Sequence, residues 1–388
     1  LREDILTTEL QKVSSESQRR ELYSMDWLDD KDKIIEGAFA ECYLKMHPMI
    51  CIHGILFTID GIVSDESGIK NDIYSMVRPY VTSGLARKVE QLLQTIKLEA
   101  YSEPLPLQTD RIHVANGTLF LNGEFSEQKD FCLNRLPVIY DPDVEKPARW
   151  LKFMEELLNP DDILTLQEYM GYMLLPTTKA QKMMLIIGKG GEGKSRIGLV
   201  LRELFGNNMY SCSLQKIEVD KFARANLEYM LITVDDDMKL EALPQTNHIK
   251  SIVTLEDQID LERKGQQSFQ GVVYARLIAF GNGGLHALYD KTDGFYRRQL
   301  ILTTKDKVDG REDDPYLIDK LRKERDGIFL WALEGLQRLV SNNYVFTESV
   351  DAKQNLVDAQ EEGNNILAFM KSEGYLQFEI GKKISSTD

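Results

Sequence analysis

The residues best placed to do chemistry form one run, Gly188-Lys189-Gly190-Gly191-Glu192-Gly193-Lys194-Ser195. It satisfies G-x-x-x-x-G-K-[ST] at every fixed position. Glycines let a backbone curl until successive N–H groups point inward at phosphate oxygens, and a helix N-terminus adds its positive dipole end. Lys194 is expected to reach the β- and γ-phosphates of a nucleotide and the Ser195 hydroxyl to ligate Mg²⁺. ATP and Mg²⁺ are therefore the expected cofactors. Hydrolysis also needs carboxylates, and Asp235-Asp236-Asp237 supplies them at the end of an apolar run. Asp235 is assigned the metal and Asp236 the attacking water, with Asp237 as the alternative register. Asn282 is placed to sense the γ-phosphate or hold that water. Arg297 and Arg298 are candidates for a finger that stabilises charge on the transferring phosphate, often across a subunit boundary.

These groups need strands and helices to hold them. Met183-Met184-Leu185-Ile186-Ile187 has the length of a buried parallel strand. Ile197, Val200, Leu201 and Leu204 recur at helical spacing after the loop, and Gly206-Asn207 supplies a stop. Tyr229 to Val234, Tyr274 to Phe280 and Gln299 to Leu302 read as three more buried strands. The pattern is that of an α/β P-loop NTPase core.

The remainder of the chain sets bounds. Its 388 residues suffice for two or three domains. No apolar run is long enough to span a bilayer. Cys42, Cys51, Cys132 and Cys212 lack C-x-x-C spacing and the histidines do not cluster with them, which argues for a reducing, cytoplasmic setting and against zinc. His47 and His53 read as structural. A net charge of −15 excludes a generally basic DNA-coating surface, so any DNA contact must be local. A start at Leu1 suggests a piece of a longer polypeptide.

In chain order, residues 1–36 read as a charged lead-in or linker. Residues 37–176 read as an N-terminal mixed α+β, partly helical domain. Within it a strand ends at Asp60-Gly61, and a helical stretch over 71–98 is broken near Pro79. Two Asn-Gly turns at 116–117 and 122–123 predict hairpins. A short strand over Leu136 to Tyr140 and helices around 148–158 and 162–175 follow. The ATPase core is expected over 177–345, with a C-terminal extension over 346–388.

In this order the motifs resemble those of the superfamily 3 helicases, specifically the phage and poxvirus-type primase–helicases. Beyond the loop, the likeness rests on Phe222-Ala223-Arg224-Ala225-Asn226-Leu227 before the acidic strand and on the spacing from Asp235 to Asn282. It also rests on Val114 to Leu121, Leu136 to Pro142, Leu166 to Tyr172 and Asp326 to Leu336, and covers about residues 37–370. The resemblance implies an AAA+-like core assembling as a hexamer around DNA, in a bacterial host cell, for replication of a phage or mobile island. It places Lys194 and Ser195 on Walker A, Asp235 and Asp236 on Walker B, Asn282 on the sensor and Arg298, rather than Arg297, on the finger. It also implies a pore hairpin near Ile259 to Gln267, with Lys264 gripping DNA and Arg263 beside it. Asn364 to Met370 resembles the start of a winged-helix domain. Two departures stand out: relatives more often carry Ser or Thr before the sensor asparagine where this chain has Gly281, and many use glutamate in the acidic pair. The competing readings are a P-loop ATPase acting as a remodelling switch and a replication scaffold without catalysis. Partners expected are DNA, further copies of the chain, and origin or primase factors.

Overall fold

The computed structural model describes residues 27–239, 242–254, 258–265, 267–290, 292–307 and 314–362. The chain divides into two compact units. The expected winged-helix start at Asn364 lies outside the described residues, as does most of the charged lead-in.

The first unit spans residues up to Pro106 together with Lys129–Arg135. Helix α1 (Glu36–Met46) leads into an antiparallel meander of β1 (Met49–Ile52), β2 (Ile55–Thr58) and β3 (Gly61–Ile62). Helix α2 (Ser67–Val77) ends in a 3₁₀ turn at Arg78–Tyr80, and α3 runs from Leu85 to Glu99. The interruption at Pro79 therefore falls where the sequence places it, because proline has no N–H to continue the ladder. Trp27, Phe39, Tyr43, Ile73, Leu92 and Ile96 close its core.

The second unit comprises 107–128 and 136–388. Strands β4 (Arg111–Val114) and β5 (Gly117–Phe120) pair antiparallel across Ala115-Asn116, and β6 (Phe125–Ser126) pairs back onto β5. Both expected Asn-Gly turns are present. The strand expected over Leu136 to Tyr140 shortens to β7 (Arg135–Leu136), since Pro137 has no N–H to donate. Helices α4 (Ala148–Leu157) and α5 (Pro160–Tyr172) follow.

At the centre is a five-stranded, wholly parallel sheet. Its strands are β8 (Met183–Ile187), β9 (Met209–Ser211), β10 (Ile232–Met238), β13 (Arg276–Gly281) and β14 (Gln299–Thr303), in the spatial order β14-β8-β13-β10-β9. Between β10 and β13 the chain forms a small antiparallel hairpin, β11 (Ile259–Leu261) with β12 (Phe269–Gly271). Side chains alternate across the sheet. Met184, Ile186, Val234, Ile278 and Phe280 pack on one face with α6 (Lys194–Phe205). Met183, Leu185, Leu277 and Ala279 pack on the other, against α7 (Leu214–Val219) and α9 (Asn247–Thr254), with the single turn α8 (Lys221–Ala225) between those helices in sequence. Both faces are covered, which is why these strands read as continuous apolar runs.

The expected boundary near residue 176 does not coincide with the division into compact units. Helix α5 packs along α12 (Arg325–Ser341), which follows the four-residue helix α10 (Asp293–Tyr296) and α11 (Leu317–Lys323). The α5–α12 crossing is close enough that a Cβ on Gly171 would come within 2.4 Å of Ala332 O, and one on Gly335 within 2.2 Å of Gln167 O. Polar bonds lock it. Gln167 Nε2 donates to Trp331 O (2.8 Å), and Glu168 accepts from Arg338 Nε (2.6 Å) and from Thr347 N (2.7 Å). Tyr169 Oη donates to Leu277 O on β13 (2.7 Å), fastening α5 to the sheet. Helix α13 (Val350–Glu362), the last among the described residues, lies along β14.

Candidate functional site

The site lies at the C-terminal ends of the parallel strands, where open α/β sheets hold ligands. Strand β8 ends at Ile187 and the glycine loop follows. Gly190, Gly191 and Gly193 have φ of +110°, +83° and +111°, a region that disfavours side chains. Gly188 is required for space: a Cβ there would sit 2.0 Å from Thr304 Oγ1. Gly193 then starts α6, so the loop runs directly into a helix N-terminus.

Lys194 and Glu192 are both buried, at 8% and 3% side-chain exposure, and form an ion pair of 2.9 Å. The other Glu192 oxygen accepts the Gly190 N–H at 2.7 Å. Burial works against the ionised form of Glu192, but the bonds from Lys194 and from backbone N–H groups outweigh it and hold its pKa below the usual value. A carboxylate of this chain thus meets two of the donors that a phosphate would use.

The loop borders a cavity of about 360 Å³ that also takes in Ser195, Arg196, Asp236, Asp237, Gly281, Asn282, Asp314 and Leu317. Asn282 enters it because β13 lies between the loop strand and the acidic strand, so its C-terminal end is adjacent to both.

The acidic residues arrive differently from the sequence assignment. Asp235, the metal ligand that the sequence predicts, does not line the cavity. Its side chain is buried and Oδ2 accepts the Leu214 N–H at the start of α7, at 2.9 Å, on the face opposite α6. Burial raises its pKa, with the hydrogen bonds from Leu214 and Asp237 opposing. Of the acidic run, Asp236 and Asp237 reach the cavity, which Glu192 and Asp314 also line. Strict alternation would put neighbours on opposite faces. Here Asp235 pairs with Ala279 and Met238 with Gly281, so Asp236 and Asp237 together oppose Phe280 alone. That β-bulge re-aims the strand and delivers adjacent carboxylates to one place. Asp236 Oδ1 also lies 3.3 Å from where a Cβ on Gly198 of α6 would be, so that glycine leaves room for it.

Neither arginine candidate lines the cavity. Arg297 is exposed and 3.9 Å from Asp293. Arg298 is half-buried, donates through Nη1 to Gly294 O, and has its pKa lowered by burial. The expected hairpin is present, with Lys264 exposed in its turn and Gly265 at φ +77°. Arg263 is drawn back onto the protein: it pairs with the buried Glu228 and lies 4.8 Å over the Phe269 ring.

Lys189 reaches Asp306 (2.7 Å) on the outside of the loop. Among the described residues no group of three or more His, Cys, Asp or Glu side chains could hold a metal, and no helix is long and apolar enough to cross a membrane.

Fold and site together define a mixed α/β protein whose parallel five-stranded sheet presents a glycine loop beside Asp236 and Asp237, an architecture compatible with nucleotide binding. A sequence family described as a family of unknown function (DUF5906) matches residues 186–298, the stretch from the end of β8 to the arginine pair. Among solved structures, the chain is similar to the apo structure of the NrS-1 C-terminal region, with a TM-score of 0.55 and 12% identity over 83% of this chain and 74% of that one. The A form of the apo NrS-1 C-terminal region aligns with a TM-score of 0.51 and 12% identity over 79% and 69%. At such identity the likeness is one of fold.

Proposed function

We propose that this chain is an ATP-hydrolysing DNA helicase of the superfamily 3 type, working as a ring-shaped oligomer, a hexamer, in replication of a phage or mobile genetic element. The observation that carries this reading is the collection of Lys194, Ser195, Asp236, Asp237 and Asn282 around one cavity. Three separate strand ends supply them, and their chemistry matches what phosphoryl transfer to water requires.

On this reading, Lys194 exchanges Glu192 for the β- and γ-phosphates of ATP, and N–H groups of the loop and the start of α6 complete the cradle. Mg²⁺ fits the donors present: the Ser195 hydroxyl and the carboxylates of Asp236 and Asp237 are hard oxygen ligands of the kind that hold Mg²⁺ together with phosphates and water. When bound, it neutralises charge on the phosphates. Ser195 and one of Asp236 and Asp237 would hold it. The other carboxylate polarises the attacking water, and Asn282 orients that water. Arg298 or Arg297 serves a neighbouring subunit's cavity rather than its own, consistent with the absence of both from the lining. Lys264 projects from the β11–β12 turn toward DNA in the pore.

The test is ATP hydrolysis with and without single-stranded DNA, together with the mass of the assembly in each state. DNA-stimulated hydrolysis by a hexamer, abolished by Lys194→Ala, is expected. Hydrolysis indifferent to DNA in a monomer refutes the motor and leaves a switch.

A further inference from the structure

The first unit holds a second cavity of about 560 Å³, formed where the 3₁₀ turn at Arg78–Tyr80 leads into α3. Lys33, Arg87 and Lys88 line it together with the hydroxyls of Thr82 and Ser83 and the ring of Tyr80, and no carboxylate lines it. In a chain with 62 acidic and 47 basic residues, three cations lining one cavity make a local excess of positive charge, of which one is balanced. Lys88 is held by Glu36 at 2.7 Å. Three aspartates, Asp29, Asp30 and Asp32, lie just before Lys33 but none lines the cavity, and Asp29 is turned toward the backbone N–H groups of Lys31 and Lys33, both 2.8 Å from its Oδ1. The Lys33 and Arg87 side chains carry no ion pair among the described residues.

The backbone adds to this. Gly84 precedes the 15-residue helix α3 at φ +68° and no side chain caps the helix. A Cβ at Gly84 would meet nothing within 4 Å, so the space before the helix is open to an approaching group. Arginine, lysine, two hydroxyls and backbone N–H groups are the donors that proteins present to phosphate oxygens. Tyr80 adds an aromatic surface, 36% exposed, against which a base can lie.

We infer that this pocket binds the phosphodiester backbone of single-stranded nucleic acid, as a contact separate from the β11–β12 hairpin. The inference deepens the DNA-binding part of the reading above but does not depend on hydrolysis. It takes one segment of strand, with a phosphate between Lys33 and Arg87.

The experiment is binding of a labelled single-stranded oligothymidine to the whole chain without nucleotide, across a range of salt, for wild type and Lys33→Ala/Arg87→Ala. Both side chains are exposed, so a thermal melt of the double variant should match wild type. Losing the one phosphate held between them should lower the slope of log affinity against log salt by about 0.7 on a single strand. Affinity at low salt should fall about tenfold or more. Unchanged affinity and slope would overturn the proposal. Inorganic phosphate and ATP are titrated as competitors: if either is bound in a Lys33- and Arg87-dependent way while oligothymidine binding is untouched, the ligand is a small phosphate and the nucleic-acid proposal fails. A wild type that binds DNA through this pocket yet never hydrolyses ATP would sink the motor reading and leave the pocket standing.

Discussion

Replacing Glu192 by glutamine should tighten nucleotide binding. In the structure its carboxylate accepts one bond from Lys194 Nζ at 2.9 Å and one from Gly190 N at 2.7 Å. A nucleotide phosphate must displace both. A hydrogen bond involving a charged group contributes about 1.5–3 kcal/mol, against about 0.5–1.5 kcal/mol between neutral groups. Glutamine keeps the shape but loses the charge and turns one of the two accepting oxygens into an NH₂ donor, so the competitor weakens by about 1–1.5 kcal/mol or more. That corresponds to about tenfold tighter ATP, since about 1.4 kcal/mol is a factor of ten. The nucleotide-free protein should lose stability by a similar amount, because Lys194 stays buried without its counter-charge. The pH dependence has a definite sign. A carboxylate whose pKa is depressed in the folded state stabilises above its unfolded value, and the contribution disappears as pH falls through the folded value. The stability gap between wild type and Glu192→Gln should therefore close on acidification below the ordinary glutamate range. A fluorescent ATP analogue titrated into both proteins, with Lys194→Ala as the non-binding control, measures the first effect. Equal or weaker binding by Glu192→Gln would show that Glu192 does not compete with phosphate, and the argument would fail.

Three further outcomes follow from the same geometry. Asp237→Asn should reduce ATP turnover by at least about a hundredfold, as loss of a catalytic acid–base group does, whereas Asp235→Asn should show mainly as a lowered melting temperature; the opposite pattern would restore the assignment made from sequence. Gly335→Val should destabilise the fold by about 3 kcal/mol or more, measured by denaturant unfolding, because its side chain meets the Gln167 backbone rather than a movable side chain; a neutral result would mean that α5 and α12 can separate freely. Lys264→Ala should leave DNA-independent ATP turnover unchanged while abolishing strand separation in an unwinding assay, and retained unwinding would remove the hairpin from the motor.

How much of this was legible in the sequence depends on how local each cause is. The glycine loop, its strand and its helix depend on neighbours within a few residues, and the pattern at 183–205 matches the structure to within two positions. The break at Pro79 and the Asn-Gly hairpins are local in the same sense. The register of the acidic strand is not. Asp235, Asp236 and Asp237 are chemically identical letters, and only the pairing of β10 with β13, some forty residues later, creates the bulge that turns two of them toward the loop. The strand itself begins at Ile232 rather than Tyr229 because Tyr229 adopts φ +62° and the pairing starts only after it. The expected boundary near residue 176 misses the compact division for a related reason. Helices α4 and α5 are continuous in sequence with what precedes them, but α5 fits against Gly335 and Trp331, over 160 residues downstream. Glu192 sits inside the motif, yet nothing in the pattern shows that its side chain folds back onto Lys194.

The position of β8 in the sheet has a consequence for how the chain is made. Its two neighbours are β13 and β14, which emerge from the ribosome about ninety and about one hundred and fifteen residues after it. Until then Met183 to Ile187 is an unpaired, wholly apolar segment, and bringing such distant partners together is slow because the closure entropy is spent before any pairing rewards it. The glycine loop cannot acquire its shape earlier, since Gly188 N–H bonds to Gly281 O and Ile187 O accepts the Thr304 N–H. Nascent chains halted before Thr303 should therefore remain protease-sensitive at β8 and depend on chaperones, while chains extended past it become resistant in a single step.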